Sequence, residues 1–94
     1  MKKYEAMFIF VPELEEEKRN ALLDRFKGII ESDGTISKID EWGNRKFAYE
    51  INDYTEGYYV VVNFESNPDA VDEINRISKI SDSILRHMII REDE

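Results

Sequence analysis

Cysteine is absent from the 94 residues, which excludes a disulfide framework, a zinc ribbon or knuckle, an iron–sulfur site and a thiol nucleophile. Stability therefore has to come from packing. Histidine is nearly absent too. His87 is the only one, so no two-histidine metal site and no cysteine–histidine catalytic pair can be assembled. Four glycines and two prolines are too few for a linker-rich or disordered chain, and none of the glycines builds a phosphate-cradling loop. No apolar run approaches the ~20 residues needed to span a bilayer. The run Ala6 to Val11 is too short for a signal peptide and lacks a small-residue cleavage site. These absences leave a cytoplasmic, non-enzymatic chain as the expectation, with no cofactor, no metal, no membrane and no small-molecule substrate.

What is present is a globular composition, 41% hydrophobic and 36% charged, over a length suited to a single domain spanning residues 1–94. A chain of this size buries roughly 60 to 65% of its unfolded surface, enough for one core. The formal net charge is −8. Its distribution matters more than its sum. Acid gathers in Glu13, Glu15, Glu16 and Glu17 and in the tail Glu92-Asp93-Glu94, whereas Lys2-Lys3, Arg45-Lys46 and Arg86-His87 with Arg91 are basic islands. Phosphate neutralisation by Lys and Arg carries much of the affinity of a nucleic-acid binder, so only such islands make RNA contact feasible here.

Tyr4 to Val11 is apolar or aromatic at almost every position and reads as a central strand covered on both faces. Pro12 ends it. Glu13 to Ser32 reads as a helix with Leu14, Ala21, Leu22, Phe26, Ile29 and Ile30 on one face, an acidic first turn suited to the helix dipole, and Gly34 as terminator. Thr35 to Ile51 is a long extended region with a bulge or bend at Trp42-Gly43-Asn44, after which Phe47, Tyr49 and Ile51 alternate with polar neighbours as in a half-covered strand. Asn52 to Gly57 supplies a hairpin turn, and Tyr58 to Phe64, rich in β-branched and aromatic residues, is a third strand. Asn67-Pro68-Asp69 reads as an N-cap with proline at the first helical position. It opens a second helix whose stripe is Val71, Ile74, Ile77 and Ile80, and Ile84 to Arg91 closes the chain as a fourth strand.

The order βαββαβ predicts an α+β, ferredoxin-like fold, a four-stranded antiparallel sheet with two helices on one face and the spatial strand order fourth, first, third, second. Lys2 and Lys3 then lie near Arg91, while Arg45 and Lys46 sit on the opposite edge, about 10 Å from the first strand. Ala6, Phe8 and Phe10 face the helices with Tyr58, Val60, Val62 and Phe64. The open face receives Glu5, Met7, Ile9, Tyr59, Val61 and Asn63, too apolar a set for bare water, so Met7, Ile9, Tyr59 and Val61 are expected to face a partner.

Four islands, in order and on the right elements, carry a resemblance. They are Lys2-Lys3-Tyr4-Glu5, then Trp42 to Ile51 (WGNRKFAYEI), then Gly57-Tyr58-Tyr59, then Ile84-Leu85-Arg86 with Met88. Through them the chain resembles, over its whole length, the bacterial ribosomal protein S-six family of the small (30S) subunit. The resemblance implies a structural ribosomal protein that binds 16S ribosomal RNA together with ribosomal protein S-eighteen. It also accounts for the charge: an acidic protein can belong to an RNA particle when a basic partner complements it and shares the phosphate contacts. The chain departs from the pattern at His87, where a hydrophobic residue would be unremarkable, and in its short acidic tail.

Lys2, Lys3, Arg45, Lys46, Arg86 and Arg91 are the expected contacts to RNA phosphates or to partner carboxylates, against the blander reading of solvated surface charge. Trp42 either stacks on a base or packs over the bulge at Gly43, and packing is the reading the residues favour; Tyr59 and Tyr4 are weighed in the same way. The third strand only faintly matches an RNA-recognition-motif signature, because after Val61 the pattern wants an aromatic where Asn63 stands, and the first strand offers Met7 and Ile9 on the open face in place of a stacking ring. Glu15, Glu16 and Glu17 point around a helix rather than converging. Two rivals keep the same topology: a small-molecule-sensing or dimeric regulatory module whose open sheet face pairs with itself, and an acylphosphatase-like enzyme, for which Val11-Pro12-Glu13 has the wrong chemistry to hold phosphate.

Overall fold

The computed structural model describes residues 1–92, so Asp93 and Glu94 of the acidic tail lie outside the described residues. The elements are β1 (Lys2–Phe10), α1 (Glu16–Glu31), β2 (Thr35–Ile51), β3 (Tyr54–Ser66), α2 (Pro68–Ile80) and β4 (Ile84–Arg91). They form one antiparallel sheet in the order β2-β3-β1-β4, the expected ferredoxin-like arrangement. No helix among the described residues is long and apolar enough to cross a membrane.

Opposed residues in neighbouring strands share a face, and the register sorts the sheet into two sides. Tyr4, Ala6, Phe8 and Phe10 of β1 stand opposite Phe64, Val62, Val60 and Tyr58 of β3, and all but the half-buried Tyr58 are buried in the core. The helices close this layer with Leu23, Phe26, Ile30, Ile74 and Ile77. Phe8 stacks on Phe26 of α1 at 4.8 Å between ring centroids, and fully burying an aromatic of this kind stabilises the fold by about 1.5–3 kcal/mol.

The helices depart from expectation in ways that follow from local bonding. α1 begins at Glu16 rather than Glu13, because the Leu14 amide closes a turn on the Val11 carbonyl and the Glu13 carboxylate accepts from the Tyr54 hydroxyl at 3.0 Å. Its buried stripe is Leu23, Phe26 and Ile30, spaced three and four apart, which leaves Ala21 exposed. Asn67 occupies the N-cap position of α2 without capping it. Its side chain donates instead to Asp33 at 3.0 Å, tying the β3–α2 corner to the α1–β2 corner. Ile80, the last residue of that helix, is 68% exposed rather than part of the stripe.

The hairpin turn is also tighter than expected. Only Asn52 and Asp53 form it, both at positive φ (50° and 69°), while Ile51 pairs with Tyr54. That is the conformation a two-residue turn needs to match strand twist. Gly57 therefore lies inside β3, where a Cβ would meet Ile9 Cγ2 at 2.5 Å and Phe47 Cζ at 2.8 Å. At Gly34 a Cβ would run into the Glu65 carbonyl, so this glycine serves close approach of α1's end to β3. Trp42-Gly43 is a bulge, with the register shifting between Glu41 and Gly43 and Gly43 at φ 82°.

His87, opposite Phe8, points toward α2, with its Nε2 2.8 Å from Asn75 Oδ1. Burial, and then the positive charge of Lys79, hold its imidazole below the ordinary 6.5. The unfolded chain thus binds this proton more readily than the folded one, and stability falls as pH drops through about 6.5 toward the folded value, levelling below both. His87→Gln is expected to remove that component of the pH dependence between about pH 5 and 7, as read from urea unfolding at each pH. The same measurement at neutral pH is expected to show Gly57→Ala and Gly34→Ala each losing about 1–3 kcal/mol. The larger loss belongs at Gly34, where backbone rather than side chain stands in the way.

Candidate nucleic-acid and protein interface

The register places the candidate cations at two ends of the sheet. At one end Lys2 opposes Ser66, Lys3 opposes Glu65, and Arg91 opposes Tyr4. Lys2 and Arg91 therefore lie on the helix side and Lys3 on the open side. Glu5, Glu65 and Glu92 are interleaved with them; the Glu92 amide donates to the Lys3 carbonyl at 2.8 Å and its carboxylate accepts from Asn63 at 3.3 Å. This end is mixed in sign. The expected neighbourhood of Lys2, Lys3 and Arg91 is present, but Arg86 does not belong to it, since five residues of strand set it about 17 Å from Arg91.

Arg86 instead opposes Ile9, which opposes Tyr59, which opposes Gly43 of the bulge. Beyond that row β2 carries four residues, 47–50, against Thr55 alone, because the pairing jumps from Lys46↔Glu56 to Ile51↔Tyr54. The surplus bends the hairpin arm over the open face, where the Phe47 ring lies 6.2 Å from that of Tyr59. A groove of about 340 Å³ results, floored by Ile9, Phe47 and Tyr59 and edged by Lys46 and Arg86, with Glu50 the one carboxylate in its wall. Two cations expected on separate edges thus border one groove. Tyr49, expected on a half-covered strand, is 85% exposed on the same arm.

Arg45 lies beside them. Its guanidinium is 5.6 Å from the Trp42 ring centre and its Nε donates weakly to the Trp42 carbonyl at 3.5 Å. Trp42 in turn stacks on Tyr59, with centroids 6.0 Å apart and planes 10° from parallel. The tryptophan thus packs across the bulge onto β3. Among the described residues, Lys2, Lys3, Arg45, Lys46 and Arg86 form no salt bridge, whereas Lys18, Lys27, Lys38 and Arg76 are each paired with a carboxylate on a nearby residue. No three His, Asp or Glu side chains among the described residues are grouped to hold a metal.

Met7, Ile9, Tyr59 and Val61 all lie on the open face, but unequally. Ile9 and Val61 are only 6% and 2% exposed, while Met7 and Tyr59 are half-buried. β1 and β3 are the inner strands, so their side chains are flanked from both sides. The apolar surface actually offered is Trp42, Met88 and Ile90, on the outer strands and at the bulge. Met88 opposes Met7 and Ile90 opposes Glu5, so the alternation of β4 carried this signal once its register was known.

The model of the family described as ribosomal protein S6 matches residues 3–91 of the chain. A relative named small ribosomal subunit protein bS6, from Alkaliphilus oremlandii, is 58% identical over 91 residues, covering 97% of both chains. Another of that name, from Alkaliphilus metalliredigens, is 55% identical over the whole of both. Among solved structures, 30S ribosomal protein S6 from Thermotoga maritima superimposes with a TM-score of 0.88 at 38% identity, covering 97% of this chain and 87% of that one. Matches of this extent, on a sheet with the same layout, leave one conclusion: the chain is a member of the ribosomal protein S6 family, a family of structural ribosomal components and not of enzymes.

Proposed function

We propose that the chain acts, as one domain over residues 1–94, as a structural constituent of the small subunit of the cytoplasmic ribosome. In this reading it binds 16S ribosomal RNA together with ribosomal protein S-eighteen and so supports subunit assembly and translation. The observation that carries the proposal is the groove edged by Lys46 and Arg86, with Arg45 beside it, adjoining the uncovered apolar strip of Trp42 and Met88. Unpaired cations next to exposed apolar surface suit a site where RNA backbone and a protein partner meet. The names of the relatives point the same way.

The net charge of −8 gives the partner its role. Long-range repulsion between this protein and RNA is screened only beyond about 8 Å at physiological salt, so the isolated chain is a weak RNA ligand. A basic partner seated on the apolar strip lowers that repulsion and adds phosphate contacts of its own. Lys2, Lys3 and Arg91, set among carboxylates, contribute a second and weaker footprint.

Gel shifts with the 16S fragment and S-eighteen, repeated across salt concentrations, test the proposal. The expected result is a ternary complex tighter than either binary one. Arg45→Ala, Lys46→Ala and Arg86→Ala should each reduce the steepness of the salt dependence by about one contact. Lys2→Ala and Lys3→Ala should change it less. A self-dimer that ignores both RNA and partner would overturn the proposal.

A further inference from the structure

A second groove, of about 530 Å³, opens where α2 ends, β4 begins and the β2–β3 turn returns. Lys79, Arg86 and His87 border it, with Asn52 of the turn and the buried Ser78, and Asp82 is the single carboxylate in its wall. Neither Lys79 nor Arg86 makes a salt bridge among the described residues, and neither does Asp82. Ser78 is 3% exposed and its hydroxyl has no hydrogen-bond partner. Lys79 and Arg86 outnumber the one carboxylate, Asp82, in the wall; the positive charge of Lys79 is felt by His87, and an anion between these groups relieves the excess.

Arg86 also borders the groove beneath the hairpin arm. Lys46, Arg86, His87 and Lys79 thus follow one another from that arm, across the β4 edge, to the end of α2. We infer that the groove at the α2–β4 corner seats a backbone phosphate of bound RNA, held by Lys79, Arg86 and His87, and extends the RNA path from the sheet's open face around its edge. The inference rests on the RNA-binding reading above and adds Lys79, His87 and their groove to it. A lysine point charge beside an arginine fork suits a tetrahedral anion and reads no sequence. The groove is open to solvent, so a continuous strand can pass through it.

The only histidine in the chain supplies a unique spectroscopic probe. The imidazole signals of His87 are followed by NMR in the full chain, with inorganic phosphate in one arm and the 16S fragment with S-eighteen in the other. RNA binding is expected to shift these signals and to move the His87 titration midpoint upward. Lys79→Gln is expected to weaken RNA binding several-fold and to lower the salt slope by about 1, whereas Lys18→Gln, whose ammonium already faces Glu15, leaves both unchanged. If wild-type protein binds RNA but His87 does not respond and Lys79→Gln matches wild type, the seat is overturned while the proposed function stands. Response to inorganic phosphate without response to RNA would make it a free-anion site and overturn the backbone assignment. An equal response to an acidic peptide would do the same. Failure of wild-type protein to bind RNA at all, with or without the partner, would overturn both readings.

Discussion

Two helices can cover only one face of a four-stranded sheet, and most of this protein's surface behaviour descends from that inequality. The covered face is closed by aromatic and branched side chains from every layer. The other face has to be managed without helices. The chain manages it partly by itself, through a bulge at Trp42-Gly43 that lays the tryptophan on Tyr59 and a surplus in β2 that folds the hairpin arm inward. What these devices leave uncovered is the strip of Met88, Ile90 and half of Trp42. The packing deficit is thereby narrowed to a few exposed apolar side chains.

Charge is organised on the same plan. Lys18, Lys27 and Arg76 on the helices and Lys38 near the start of β2 pair with carboxylates one turn or two residues away, as Arg76 does with Glu73 at 2.7 Å. Such pairs on exposed surfaces add little stability, but they neutralise local field. The cations bordering the grooves lack that neutralisation. A molecule that is anionic as a whole can therefore keep a short positive path, because screening in water makes neighbouring charges count more than distant ones.

Element order, strand order and the inward residues of β1 and β3 were legible because alternation and turn chemistry are local properties. Tyr4 and Phe8, like Val60 and Phe64, share a face by period, and the βαββαβ order puts helices over one face. What was not legible depends on distances across the sheet. Ile9 and Val61 share the open face and the inner strands with Met7 and Tyr59, yet only the first two are buried, a difference set by what packs over each position and not by strand period. Arg86 and Lys46 seemed remote until the surplus of residues 47–50 brought their strands' ends over one groove. Gly34 looked like a helix terminator and Gly57 like a turn residue. Both are instead places where another segment leaves no room for a side chain. Lys79 carried no pattern of its own and acquires meaning only beside His87 and Arg86.

The placement of β1 between β3 and β4 has a kinetic consequence. The first strand to emerge during synthesis is the one whose two neighbours come later, and the last eight described strand residues supply one of them. Until those residues are free, the aromatic run of β1 has one flank open. The nascent polypeptide thus completes this sheet only once β4 has been made, through contacts far apart in sequence. Its folding speed is then governed by the cost of closing long loops rather than by how readily its helices form.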